Sequence, residues 1–247
     1  MDDFFIWNDT DCREYGIRAV ELPPISFAEE RVTWKDVAGR SGSLALLEGD
    51  GVYKDLTFKC TCRVEDTANL SAIGAWLSGS GKVCFANRPE GYYKGRISAA
   101  IEWDKITQGH KHREFTVSWR CVPFCYLNDA SAITVPASAM AEGGYAIANP
   151  GTAASQPKMT IVGSGDFTVS FGGQMVLLTN VSGGIVLDSE LMDALNVDET
   201  QLLNDQMSGE FFEVQPGTNT LSWEAYEEND NPGNVTSITI EPRWRSR

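Results

Sequence analysis

Two histidines, six cysteines and a surplus of carboxylates are the residues of this chain that could do chemistry. A structural zinc site gathers Cys-x₂₋₄-Cys pairs in turns with a second pair of Cys or His. Cys60 and Cys62 instead fall in LTFKCTCRV, where every second residue is apolar, so they read as small core residues. Cys121 and Cys125 do not form a zinc-knuckle pair, and His110-x-His112 lacks a third ligand and reads as a solvated turn. For nucleophilic catalysis, no G-x-S-x-G elbow occurs. The stretch from Gly74 to Lys82 grazes the phosphate-loop pattern, but Ser80-Gly81 interrupt it and its helix-then-strand order is reversed. A Ser–His–Asp triad would have to recruit a histidine from a hairpin tip, where no buried base can form.

Carboxylates cluster at Asp188, Glu190, Asp193, Asp198 and Glu199, and again at Glu224, Glu227, Glu228 and Asp230. Both groups sit beside turn residues, and neither has the D-x-[DN]-x-[DN]-G order of a calcium loop. They read as solvated loops rather than as the paired acids of a glycosidase. Asn-x-Ser/Thr sequons begin at Asn8, Asn69, Asn180 and Asn234, without a basic, apolar secretion signal ahead of them. Phe211, Phe212, Trp223 and Tyr226 could stack on sugars, although Phe211 and Trp223 fit a core. No catalytic, cofactor-binding or metal-binding residue is expected, and no cofactor.

The elements that would position these residues are mainly strands, because alternation of apolar and polar residues dominates. Leu56, Phe58, Cys60, Cys62 and Val64 alternate in one stretch. Ile97, Ala99, Ile101 and Trp103 do so in a second, and Phe115, Val117, Trp119 and Cys121 in a third. The last two, joined by Lys105–His112 with Gln108-Gly109, predict a long hairpin over roughly 93–124. One helix is expected, with Leu70, Ile73, Trp76 and Leu77 on one face, Asp66 or Thr67 as N-cap and Gly79 beyond its end. Past a small-residue linker, short strands are expected in KMTIVG, DFTVSFG, QMVLLTN, GGIVLD, GEFFEV, NTLSWEAY and SITIEPRW. Turn signals every 8–12 residues or so make this half a β-sandwich, and SELMDALNVDETQLLN could hold one or two helical turns.

Charge divides the 247 residues unevenly. The whole chain carries −14, but residues 1–135 hold 16 Lys/Arg against 19 Asp/Glu, and residues 136–247 hold 4 against 15. All six cysteines and both histidines lie in the first part, so two domains are expected to meet near Ala130–Gly144. An acidic chain has no general attraction for a phosphate backbone, and its basic clusters are short. No apolar run approaches the roughly 18–20 residues of a membrane span. Sequence-specific nucleic-acid binding and membrane insertion are therefore not expected; the default compartment is the cytoplasm, with free thiols.

The order of segments resembles the siphophage distal tail protein (Dit) family. FFIWNDTDCREYGI, Pro23-Pro24-Ile25 and GRSGSLALLEGDGVYKDLTF are similar to that family's N-terminal domain. So are the helix with Ile73, Trp76 and Leu77, Gly79-Ser80-Gly81, and RPEGYYKGRIS. NPGTAASQPKMTIVGSGDFTVSFGG, IVLDSE, MSGEFFEVQPGTNTLSW and ITIEPRWR are similar to its galectin-like domain.

The resemblance implies an N-terminal belt domain over 1–135, made of a β-sandwich, one α-helix and a long β-hairpin. A galectin-like β-sandwich over 136–247 follows it. It implies a non-enzymatic hub: a homo-hexameric ring at the tip of a phage or prophage tail, assembled in the host cytoplasm, with a channel for DNA. Implied partners are the tail tube protein, the tail-associated or tail-fibre protein and the tape measure protein, with receptor-binding proteins docking on the C-terminal domain. Residues 136–242 contain no His and no Arg, so galactoside binding by the galectin mechanism is rejected. The residues alone leave two other readings, a carbohydrate-binding module for a host glycan and a small β-rich glycoside hydrolase. On the family reading, the hairpin tip Lys105–Arg113 is expected to touch a neighbouring subunit.

Overall fold

The computed structural model describes residues 3–49, 51–65, 68–104, 111–141, 143–227 and 231–247. The fold is mainly β, and it falls into two compact units, Met1–Tyr126 with Arg247, and Leu127–Ser246.

Unit 1 is built on β1 (Phe5–Trp7), β2 (Thr10–Asp11), β3 (Arg18–Glu21), β4 (Val32–Lys35), β5 (Leu44–Leu47), β6 (Leu56–Glu65), β7 (Ser80–Phe85), β8 (Gly91–Ile97) and β9 (His112–Leu127). Seven of these form a sheet in the order β2-β1-β7-β8-β9-β6-β3, while β4 and β5 pair only with each other. The alternation in β6 does what its period predicts: Leu56, Phe58, Cys60, Cys62 and Val64 are buried. Opposite them, β9 pairs antiparallel from Leu56↔Cys121 to Glu65↔His112 and buries Phe115, Val117, Trp119 and Cys121.

Helix α1 (Leu70–Trp76) buries Ile73, with Leu77 buried just beyond its end. Its cap is not where the sequence placed it. Asn69 accepts from the Ala72 N–H at 3.1 Å, and Asp66 and Thr67 lie outside the described residues. Trp76 stacks on Tyr15 with ring centroids 4.6 Å apart. Trp76 and Trp7 also lock together reciprocally, each indole N–H donating to the other's backbone carbonyl at 3.3 and 3.1 Å.

The expected hairpin differs from the observed one. β8 and β9 are neighbours, but β8 stops at Ile97. Residues 98–104 follow β9 without forming a strand, held by Ser98 N–H to Ser118 O (2.9 Å) and Asp104 N–H to Glu114 O (3.0 Å). Ile97, Ile101 and Trp103 still pack partly buried against the core, so the apolar period survives although the ladder does not. Most of the expected tip, 105–110, lies outside the described residues.

Unit 2 contains β10 (Ile133–Pro136), β11 (Tyr145–Asn149), β12 (Lys158–Phe171), β13 (Gln174–Val181), β14 (Ile185–Asp188), β15 (Asp193–Leu195), β16 (Met207–Ser208), β17 (Gly217–Ala225) and β18 (Asn234–Glu241), with β19 (Arg245–Ser246) near the chain end. KMTIVG and DFTVSFG, expected as two strands, are one strand that serves two sheets. The first half of β12 pairs with β14 and β18, and its second half with β13 and β17. Register shifts at Val162/Gly163 and Gly165/Phe167 let it turn the corner between them.

At that corner Gly165 has φ +87°, a conformation that a side chain would strain. The buried carboxylate of Asp166 accepts from the Asn180 N–H at 2.7 Å and the Asn231 amide at 3.3 Å. Phe167, Phe171, Phe212, Met159, Ile161 and Ile238 fill the core between the sheets. GEFFEV is not a strand: Phe212 and Val214 are buried from an irregular segment. The 189–204 insert holds the short strand β15, and only one 3₁₀ turn, Asn204–Gln206, begins at its end.

Candidate functional site

Five of the six cysteines are buried in the framework. Cys60 and Cys62 lie in the core with sulfurs 3.7 Å apart. The hydrogen bond to Cys60 and burial both push the Cys62 thiol strongly up. Burial raises Cys12 and Cys125 to about 11 and Cys121 to about 12. The Cys12, Cys62, Cys121 and Cys125 thiols stay protonated at neutral pH and make poor nucleophiles.

Among the described residues no three His, Cys, Asp or Glu side chains gather as metal ligands, and no helix is long and apolar enough to cross a membrane. His112 is exposed at the start of β9, and His110 lies outside the described residues. Gly74 is in α1 and Lys82 in β7, so the phosphate-loop likeness is a helix followed by a strand.

Within the first acidic cluster, Asp188 and Glu190 both pair with Arg243, and Asp193 stands opposite Asp188 in the β14–β15 ladder. Asp188 is buried and holds Arg243 through two parallel bonds of 2.7 and 2.8 Å, while Oδ1 also accepts from the N–H groups of Glu190 and Leu191. Burial alone would raise its pKa; the guanidinium and the two N–H donors outweigh that and hold the carboxyl low. Glu199 is committed to Lys158 at 2.6 Å. Glu224 is exposed on β17, and Glu228 and Asp230 lie outside the described residues. Phe212 is fully buried, and Phe211 and Trp223 pack partly buried on the same core.

The feature that the core does not explain is the β4–β5 hairpin. Its register is Val32↔Leu47, Thr33↔Leu46, Trp34↔Ala45 and Lys35↔Leu44. Because side chains alternate, Val32, Trp34, Ala45 and Leu47 share one face, and that face is wholly apolar. Trp34 is 68% exposed and Leu47 62%, with Leu44, Leu46 and Val37 exposed as well. The hairpin's root is tied by Arg31 N–H to Val52 O (2.9 Å) and Lys54 N–H to Glu29 O (2.8 Å). Its far turn is braced by Ser43 Oγ–H to Asp36 at 2.6 Å.

In the strap before the hairpin, Ile25 and Phe27 are also exposed, Phe27 by 67%. An isolated two-stranded hairpin is marginal in water, and contiguous exposed apolar surface marks an interaction site. Sequence reasoning missed this element. The signal was present in VTWK and LALL around a Gly-rich turn, but LALL lacks polar alternation and no strand was expected there.

No family model matches the chain, and no curated protein matches it in sequence. Among solved structures it is similar to the crystal structure of the SPP1 Dit (gp 19.1) protein, described as a paradigm of the hub adsorption apparatus in phages infecting Gram-positive bacteria. The TM-score is 0.71 over 97% of this chain and 98% of that one, at 14% identity. The chain has the fold of that hub protein from end to end.

Proposed function

We propose that this protein is a non-enzymatic hub of a phage or prophage tail tip. Its copies close into a hexameric ring that continues the tail tube, holds the tail-associated or tail-fibre protein, and leaves a channel for DNA. The observation that carries this reading is the fold shared with a Dit hub protein over nearly the full length of both chains.

The exposed hairpin supports the ring. A face of Val32, Trp34, Ala45 and Leu47 left in water is unfavourable, and a neighbouring copy is the cover that repeats with every subunit. The N-terminal domain supplies the main ring contact, with the β4–β5 hairpin as an arm in addition to the 105–113 tip. The C-terminal sandwich is the galectin-like domain, facing outward to take receptor-binding proteins. The buried thiols and the Asp188–Arg243 pair serve the fold.

Negative-stain imaging of the purified chain, paired with native mass spectrometry, tests the reading. Rings of six copies with a central hole are expected. A monomer at all concentrations up to about 100 μM, with the natural tail partners present, would overturn it.

A further inference from the structure

Against the acidity of the chain, one groove is basic. Lys82 and Lys94 stand directly opposite each other across β7 and β8, and Arg96 stands opposite Ser80 two residues along the same ladder. Arg120 of β9 completes the lining, so four cations share a groove of about 650 Å³. The carboxylate that lines it, Asp55, is already held by Arg120 at 2.6 Å. Lys82 lies over the Tyr92 ring at 5.2 Å and Lys94 over Tyr126 at 4.3 Å, which keeps both ammonium groups at the sheet face. Like charges directly opposed weaken a sheet, a cost that a negative partner laid in the groove relieves.

The chain itself carries the complement. Residues 127–246 hold 16 Asp/Glu and 3 Lys/Arg, while residues 1–126 with Arg247 hold 18 and 17. Glu210 and Asp205 are among the exposed carboxylates of unit 2. A head-to-tail contact needs two different, complementary patches on every copy, and the basic groove of unit 1 and the acidic surface of unit 2 supply such a pair.

We infer that the Lys82–Lys94–Arg96–Arg120 groove receives the acidic unit 2 of a second copy, so that adjacent subunits are joined by a charge contact in addition to the apolar hairpin. This rests on the assembly reading above. The contact sets salt dependence and orientation; the hairpin sets adhesion.

Carbodiimide cross-linking of an assembly mixed from ¹⁴N- and ¹⁵N-labelled full-length copies tests it. Mixed-isotope links from Lys82 or Lys94 to Asp or Glu within 127–246 are expected. Links only within one copy, links only to carboxylates of 1–126, or no such links in intact rings would overturn it. In parallel, Lys82→Glu with Arg96→Glu should weaken association at least ten-fold at 50 mM salt and flatten its salt dependence. Lys82→Gln with Arg96→Gln should fall between. Both variants lie on an exposed sheet face and should melt no lower than wild type, because each removes the like-charge pair with Lys94.

Wild-type affinity and salt slope in the Glu variant would also sink the inference. So would unchanged assembly accompanied by loss of binding to a duplex DNA oligonucleotide. Rings that form normally while these tests fail leave the hub reading standing; a wild-type chain that never assembles removes the hub reading itself.

Discussion

Truncating Trp34 to alanine separates adhesion from folding. Trp34 is 68% exposed in the single chain, so its neighbours give it little support and it gives little to them. Full burial of such a side chain removes about 150 Å² from water, worth roughly 4 kcal/mol at ~25 cal/mol per Å². Ordering the side chain returns about 1 kcal/mol, which leaves about 2–3 kcal/mol for each subunit contact. Each association constant should therefore fall roughly 30- to 150-fold. Unfolding of the single chain should move by less than about 0.5 kcal/mol, as for an exposed position without special partners. Sedimentation velocity across a dilution series gives the first quantity, and urea denaturation of dissociated chain gives the second. An unchanged association constant would refute the assignment of this face to a subunit contact. A stability loss matching the association loss would show instead that Trp34 supports the fold.

Further outcomes follow from the interior. Asp166→Ala leaves the Asn180 N–H without its carboxylate at the corner of β12, which should cost about 1–3 kcal/mol in chemical denaturation. Arg243→Met strands the buried Asp188 carboxylate and should destabilise by about 3–5 kcal/mol at neutral pH. The Asp188 carboxyl is lowered in the folded state, so the stability it contributes is present above its unfolded value of 3.8. That contribution is lost as pH falls through the lower folded value. Acid unfolding of Arg243→Met should therefore be shallower in this window, and an acid limb parallel to wild type would contradict the pairing. A thiol reagent at pH 7.5 should label the half-buried Cys84 first and spare the other five until denaturant is added. Rapid labelling of Cys60 or Cys62 in the native chain would mean that the core opens there.

What the sequence made legible was whatever obeyed a local period. β6 and β9 declared themselves because burial on one face repeats every second residue, and α1 because Ile73 and Leu77 return on one side of a turn. The joining of two expected strands into β12 was not legible: Gly163 and Gly165, at the break expected between KMTIVG and DFTVSFG, bend a continuous strand. The helix cap moved to Asn69 because its side chain reaches the Ala72 N–H, a geometric choice among several capable residues. The functional surface was hidden for the opposite reason to the core. Trp34, Leu46 and Leu47 look like core residues by composition, and only their exposure in the folded chain reveals an unsatisfied face. Lys82 opposite Lys94 could not be seen before the register of β7 and β8 was known.

The sharing of β12 between two sheets has a mechanical meaning. A strand that ends in one sheet can be peeled by breaking its ladder one bond at a time, whereas β12 is anchored on both sides of the sandwich along its 14 residues. Load applied to the sheet of β13 and β17 reaches the sheet of β14 and β18 through continuous covalent backbone, not through side-chain packing alone. Unit 2 should yield under tension as a single event rather than sheet by sheet, with the corner at Gly165–Asp166 as the point where the force changes direction.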